Sequence, residues 1–163
     1  MSNLFVKPKA ADIGDLSEKF SQKSLIRSSS QRVKATKSST LVIQVLEGAD
    51  LAAKDSSGTS DPFVVINLND TKVKTKVISK NLNPVWENEI FTFPIGGLDP
   101  LDTEIHFKVY DKDKFGTDYM GEFKVVLDEA LNTPDPQPYV LVSSKASKQV
   151  SGTITIHFTS ESQ

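Results

Sequence analysis

The chain has 163 residues, 37% of them hydrophobic, with no cysteine and a formal net charge of −2. That length and apolar content suit one core of ordinary domain size, and the missing cysteine excludes a disulfide framework, a thiol nucleophile, palmitoylation and a cysteine-rich zinc site. No apolar run approaches the roughly 20 residues of a membrane span, the first residues lack the apolar core of a secretory signal, and Ser2 excludes myristoylation, so a cytosolic address with peripheral membrane contact is expected.

Residues 1–38 hold eight basic and three acidic residues, a charge of +5, and the rest of the chain holds eleven and eighteen, a charge of −7. The first segment is rich in Ser and Lys without sustained apolar alternation, and it reads as a mostly disordered basic tail. Within it, Ile13, Leu16 and Phe20 fall near helical spacing, which suits a short amphipathic helix or scattered apolar residues in a solvated linker. Between Arg27 and Arg32 a run of serines offers phosphorylation sites that would cut the positive charge.

From Thr40 onward short runs rich in Val, Ile, Phe and Thr alternate with Gly, Pro, Asn and Asp, an all-β signature. The pattern predicts strands over 41–46, 63–68, 72–78, 86–93, 104–110, 121–127, 138–142 and 153–158, with one helical turn from Asp128 to Leu131. Alternation is cleanest in the last, where Ile154, Ile156 and Phe158 share one face. Six prolines (Pro84, Pro94, Pro100, Pro134, Pro136 and Pro138) fall in the expected turns or at strand edges, where a missing amide donor does no harm. Eight strands suggest a sandwich over 39–160.

Two aspartate clusters interrupt these strands: Asp55 and Asp61, then Asp111, Asp113 and Asp118. Asp is common in turns, where it caps backbone groups. Five on one rim, however, repel one another and call for a cation. Calcium takes roughly 6–8 oxygen ligands at flexible geometry, whereas magnesium rarely uses an all-protein cage, so the expected cofactor is Ca2+.

The segments Asp55-Ser-Ser-Gly-Thr-Ser-Asp61-Pro62-Phe63, Lys80-Asn-Leu-Asn-Pro-Val-Trp86-Glu-Asn-Glu89 and Tyr110-Asp-Lys-Asp113 together resemble the C2 domain, the calcium-dependent phospholipid-binding module. The resemblance runs from about Thr40 to about Phe158 and implies an eight-stranded antiparallel Greek-key β-sandwich. It implies the strand order in which the extra strand comes last. It further implies calcium on Asp55, Asp61, Asp111, Asp113 and Asp118, with the backbone carbonyls of Lys54 and Lys112 completing coordination. The interval from Asp113 to Asp118 is one residue shorter than in many relatives. The module would bind anionic phospholipids, phosphatidylserine among them, at a membrane surface.

Phe115 falls at the tip of the second aspartate loop, either dipping into the lipid interface or folding back onto the core. Lys72, Lys74 and Lys76 alternate in one predicted strand with Lys80 close by. In relatives such lysines recognise phosphoinositides, and each basic residue near an anionic surface contributes about 1 kcal/mol; a plain solvated face fits the same spacing. Nucleic acid is not an expected partner, because the domain is acidic and the lysines lack interleaved aromatics. Trp86 reads as a core residue, and His106 and His157 lack a nucleophile or metal spacing, so no enzyme activity is expected. Two other readings suit the residues: a calcium-independent adaptor for a protein partner, and the targeting subunit of a membrane-associated enzyme system.

Overall fold

The computed structural model describes residues 39–146 and 149–162. The expectations for the tail at 1–38, its short helix and its serine run lie outside them. Eight strands and one short helix follow one another: β1 (Ser39–Ala49), β2 (Pro62–Leu68), β3 (Thr71–Lys74), β4 (Val85–Pro94), β5 (Glu104–Lys112), β6 (Thr117–Val126), α1 (Leu127–Asn132), β7 (Gln137–Val140) and β8 (Thr153–Ser162). They form two four-stranded antiparallel sheets, ordered β4-β1-β8-β7 and β3-β2-β5-β6. This is the all-β sandwich that the alternation predicts.

Period-2 patterning explains the core. Leu41, Ile43 and Val45 of β1 and Ile154, Ile156 and Phe158 of β8 face Val64, Ile66, Ile105, Phe107 and Val109 of the other sheet, all buried. Trp86 is 1% exposed, and its Nε1 donates to Lys76 O (3.0 Å) from the core side. The extra strand does come last: β8 inserts between β1 and β7, pairing Ser39 with Ser162 at one end and Ala49 with Thr153 at the other.

The bounds of β3, β5, β6 and β7 differ from those the residues predict. β3 stops at Lys74 rather than continuing to residue 78. At the next position Val64 N–H donates to the Thr75 hydroxyl (3.0 Å) instead of to a main-chain carbonyl, and the hydroxyl in turn donates to Lys76 O (3.0 Å). Lys76 therefore lies beyond the strand that Lys72 and Lys74 occupy. β5 and β6 run past their expected ends, so Asp111 and Asp118 are direct cross-strand partners in a hairpin closed by Lys112 and Thr117. β7 ends at Val140, while Val142 crosses to pair with Glu122 of the other sheet (2.9 Å in each direction). That crossing needs Gly121. A β-carbon there would sit 2.6 Å from Val150 Cγ1, and its φ of +131° belongs to glycine.

Strand direction then sorts the connections. Those from β1 to β2, β3 to β4, β5 to β6 and β7 to β8 all lie at one end of the sandwich, and Ser39 and Ser162 lie at the other.

Candidate metal centre

The β1–β2 connection is held from inside by Ser60. Its hydroxyl, fully buried, accepts from Lys54 N–H (2.9 Å) and donates to Ala52 O (3.0 Å), while its carbonyl accepts from Asn81 N–H (2.9 Å). Above that anchor, Asp55 N–H donates to Thr59 O (3.0 Å) and Gly58 closes the turn onto Asp55 O (3.1 Å). The turn leaves the Asp55 carboxylate facing the β5–β6 hairpin. Nothing in the sequence pattern distinguishes Ser60 from the other turn serines, because its role is set by burial.

Asp111, Asp55 and Asp113 converge: one carboxylate oxygen from each lies within 4.8 Å of the others. Asp61 joins through its backbone, its N–H donating to Asp111 Oδ1 (2.6 Å), while its own Oδ1 accepts from Lys80 N–H (2.7 Å). Asp118 stands outside the three-carboxylate cluster, close enough for its charge to raise the Asp113 carboxyl. The five aspartates of the two clusters thus meet at one rim, three at ligand spacing and two flanking them.

The electrostatics are unrelieved. Asp111 is 1% exposed; burial, and then the charges of Asp55, Asp113 and Asp61, push its carboxyl above the usual aspartate range, against the lowering effect of the Asp61 N–H. Asp113 is raised by burial and by Asp118 and Asp55. Lys54 and Lys112 are near in sequence and turned elsewhere: Lys54 Nζ donates to Gln149 O (2.6 Å) and Lys112 Nζ to Gly116 O (3.4 Å). Among the described residues, Asp111 Oδ2 is the buried side-chain oxygen without a hydrogen-bond partner. An orphaned anionic oxygen among converging carboxylates fits a hard divalent cation, which supplies the missing partner.

Phe115 stands at the hairpin tip, fully exposed, on the wall of an open cleft of about 570 Å3 that Asp55, Asp113, Lys114 and Asp118 also line. It does not fold back onto the core.

The lysines divide. Lys72 and Lys74 line a groove on the outer face of the second sheet, over Phe63, Val65 and Tyr110, with the Phe63 and Tyr110 rings stacked at 5.8 Å. Lys76 and Lys80 are exposed in the β3–β4 connection and do not line that groove; Lys76 Nζ donates to Glu87 O (3.3 Å), and Lys80 takes a left-handed φ of 53° as its N–H reaches Asp61. The histidines sit apart from the rim: His106 lies 3.2 Å from Glu104, and His157 is 3.1 Å from Pro134 O.

Residues 39–141 match the family model of the C2 domain. This chain belongs to the C2 domain family. Its relatives include multiple C2 and transmembrane domain-containing protein 2 of Mus musculus, 48% identical over 94 residues that make up 56% of this chain and 10% of that protein. Synaptotagmin-3 of Homo sapiens is 43% identical over 105 residues, 62% of this chain and 17% of that protein. This C2 domain therefore spans a small fraction of the curated relatives it matches. Among solved structures, a C2 domain of plant extended synaptotagmin 1 superimposes with a TM-score of 0.62 at 30% identity, covering 75% of this chain and 93% of that one. The matched residues end before β8, yet the fold of this C2 domain depends on that strand, which joins β1 to β7.

Proposed function

We propose that this chain is a calcium-dependent peripheral membrane-binding module for anionic phospholipid, in which Asp55, Asp61, Asp111, Asp113 and Asp118 hold calcium. The observation that carries this reading is the buried, partnerless Oδ2 of Asp111, a carboxylate that converges with those of Asp55 and Asp113. Bound there, Ca2+ would cancel the negative rim and offer open coordination positions to a headgroup phosphate or carboxylate. The chain's own residues set the rest. Asp61 fixes Asp111 through its N–H, Lys80 N–H fixes Asp61, and Ser60 fixes the turn that carries Asp55. Phe115, fully exposed beside the aspartates, supplies an apolar contact to the lipid interface. Lys72 and Lys74, over the Phe63–Tyr110 pair, supply a basic and aromatic groove suited to a phosphoinositide headgroup, with Lys76 and Lys80 adding charge nearby.

On this reading residues 39–160 form the binding module, residues 1–38 a basic tail, and the membrane surfaces it meets face the cytoplasm. The chain binds and does not catalyse: paired carboxylates doing acid–base work need an enclosed site, and the aspartate rim opens onto a wide cleft.

Sedimentation with phosphatidylserine vesicles tests the proposal. The protein is expected in the pellet with calcium and in the supernatant with chelator; equal partitioning in both sinks it. A protein partner captured equally well in chelator, with no thermal stabilisation by calcium, would instead support the adaptor reading. Phe115→Ala is expected to weaken pelleting while leaving calcium binding in solution unchanged, as read by calorimetry.

A further inference from the structure

The β7–β8 connection, residues 141–152, sits at the same end of the sandwich as the aspartate loops, because Val140 and Ala49 both pair with Thr153. In an otherwise acidic domain it contains two lysines, Lys145 and Lys148, and no acidic residue.

Its described residues are braced on both aspartate loops. Toward the β1–β2 connection, Lys54 Nζ donates to Gln149 O (2.6 Å) and Ser151 Oγ to Asp50 O (3.0 Å). Gly152 packs so tightly there that a β-carbon would lie 2.4 Å from Ala49 O. Toward the β5–β6 hairpin, the Tyr119 hydroxyl accepts from Ser144 N–H (3.3 Å) and donates to Val142 O (3.3 Å). Tyr119 follows Asp118 directly, so the brace on that side grips the base of the second aspartate loop.

Lys145 is exposed, with its ammonium 5.1 Å from the centre of the Tyr119 ring and no carboxylate partner among the described residues. A cation–aromatic contact holds an ammonium in place without neutralising it. Val142 in the same connection is 56% exposed.

We propose that Lys145, carried at the aspartate end by the β7–β8 connection, is a further membrane contact that meets an anionic lipid headgroup beside the calcium-bearing loops. It rests on the membrane reading above and adds to it a contact made by neither the aspartates nor the lysines of β3. The loop's bracing means that docking one aspartate loop on a surface brings this loop to the same surface.

The absence of cysteine allows a single labelled position in the full chain. Ala146→Cys and, as a reference at the tip of the aspartate hairpin, Lys114→Cys would each carry an environment-sensitive fluorophore. Each is mixed with phosphatidylcholine vesicles containing phosphatidylserine, with calcium. Blue-shifted emission at both positions supports the proposal. A shift at 114 with none at 146 overturns it and leaves the calcium-dependent reading standing, whereas no shift at either overturns both. Lys145→Ala is expected to weaken vesicle binding about fivefold, the effect of removing one basic residue near an anionic surface, and Lys145→Glu more than that. Calcium binding without lipid is expected to stay as in the parent. Parent-like vesicle binding by both Lys145 variants would equally overturn the inference.

Discussion

At the end of the sandwich remote from the aspartate loops, Glu104 accepts from Lys124 Nζ (2.9 Å), lies 3.2 Å from His106 Nε2, and has its carboxyl held below the usual range chiefly by Lys124. At the other end Asp111 and Asp113 are pushed up, by burial first and by like charges next, while Lys54 and Lys112 bond to main-chain oxygens. Both regions belong to the same β5–β6 pair of strands. Where the fold supplies its own cation, an acidic side chain can remain solvated and paired. Where it brings carboxylates together and turns Lys54 and Lys112 away, three acidic side chains stand at a spacing that can hold an ion.

The contrast between the two ends is lost most completely if the carboxylates of the rim are removed. Asp111→Asn with Asp113→Asn is expected to reduce vesicle binding in calcium to the level seen in chelator, measured by sedimentation. Next in size is the thermal response. Calcium at a hundredfold over its dissociation constant adds about 2.7 kcal/mol to stability, which scanning calorimetry reads as several degrees in Tm, and Asp111→Asn is expected to abolish that gain.

A smaller effect of opposite sign follows in chelator. The folded-state pKa values of Asp111 and Asp113 lie above the ordinary aspartate value, so between the two the folded state binds more protons than the unfolded one. Stability contributed by these groups therefore falls as pH rises through that window and stays low at neutral pH. Acidification from neutrality toward the carboxylate range is expected to stabilise the ion-free protein more than it stabilises Asp111→Asn. At neutral pH in chelator, the variant is expected to melt no lower than the parent. The least effect belongs to the remote region: Glu104→Gln loses an exposed pair, and it is expected to leave calcium binding and vesicle partitioning as in the parent.

Much of this architecture is legible in the residues because burial on one face of a strand writes itself as alternation, as in Ile154, Ile156 and Phe158. The aspartates are legible for a different reason: Asp55, Asp61, Asp111 and Asp113 stand in segments that resemble a family pattern, whereas the interval to Asp118 is one residue shorter than in many relatives. Less visible are features decided by tertiary partners. The Thr75 hydroxyl takes the place of a carbonyl and ends β3, which leaves Lys76 off the strand, although residues 72–78 read as one continuous alternating run. Asp111 and Asp118 are strand residues although Asp disfavours strands, since Lys112 N–H finds Asp61 O (2.9 Å) and extends the ladder past the apolar stretch. Ser60 and Tyr119 act through buried hydroxyls whose partners are distant in sequence or set by the backbone path. No periodicity announces them.

The pairing of Ser39 with Ser162 has a mechanical consequence. These residues are neighbours on adjacent antiparallel strands at one end of the molecule, so tension between them loads the ladder in zipper geometry, breaking one hydrogen-bonded pair at a time rather than shearing the whole set. Rupture would travel from Ser39 toward Ala49 and reach the base of the aspartate loops last. A pull through these strands would thus loosen the remote end while the rim kept its grip.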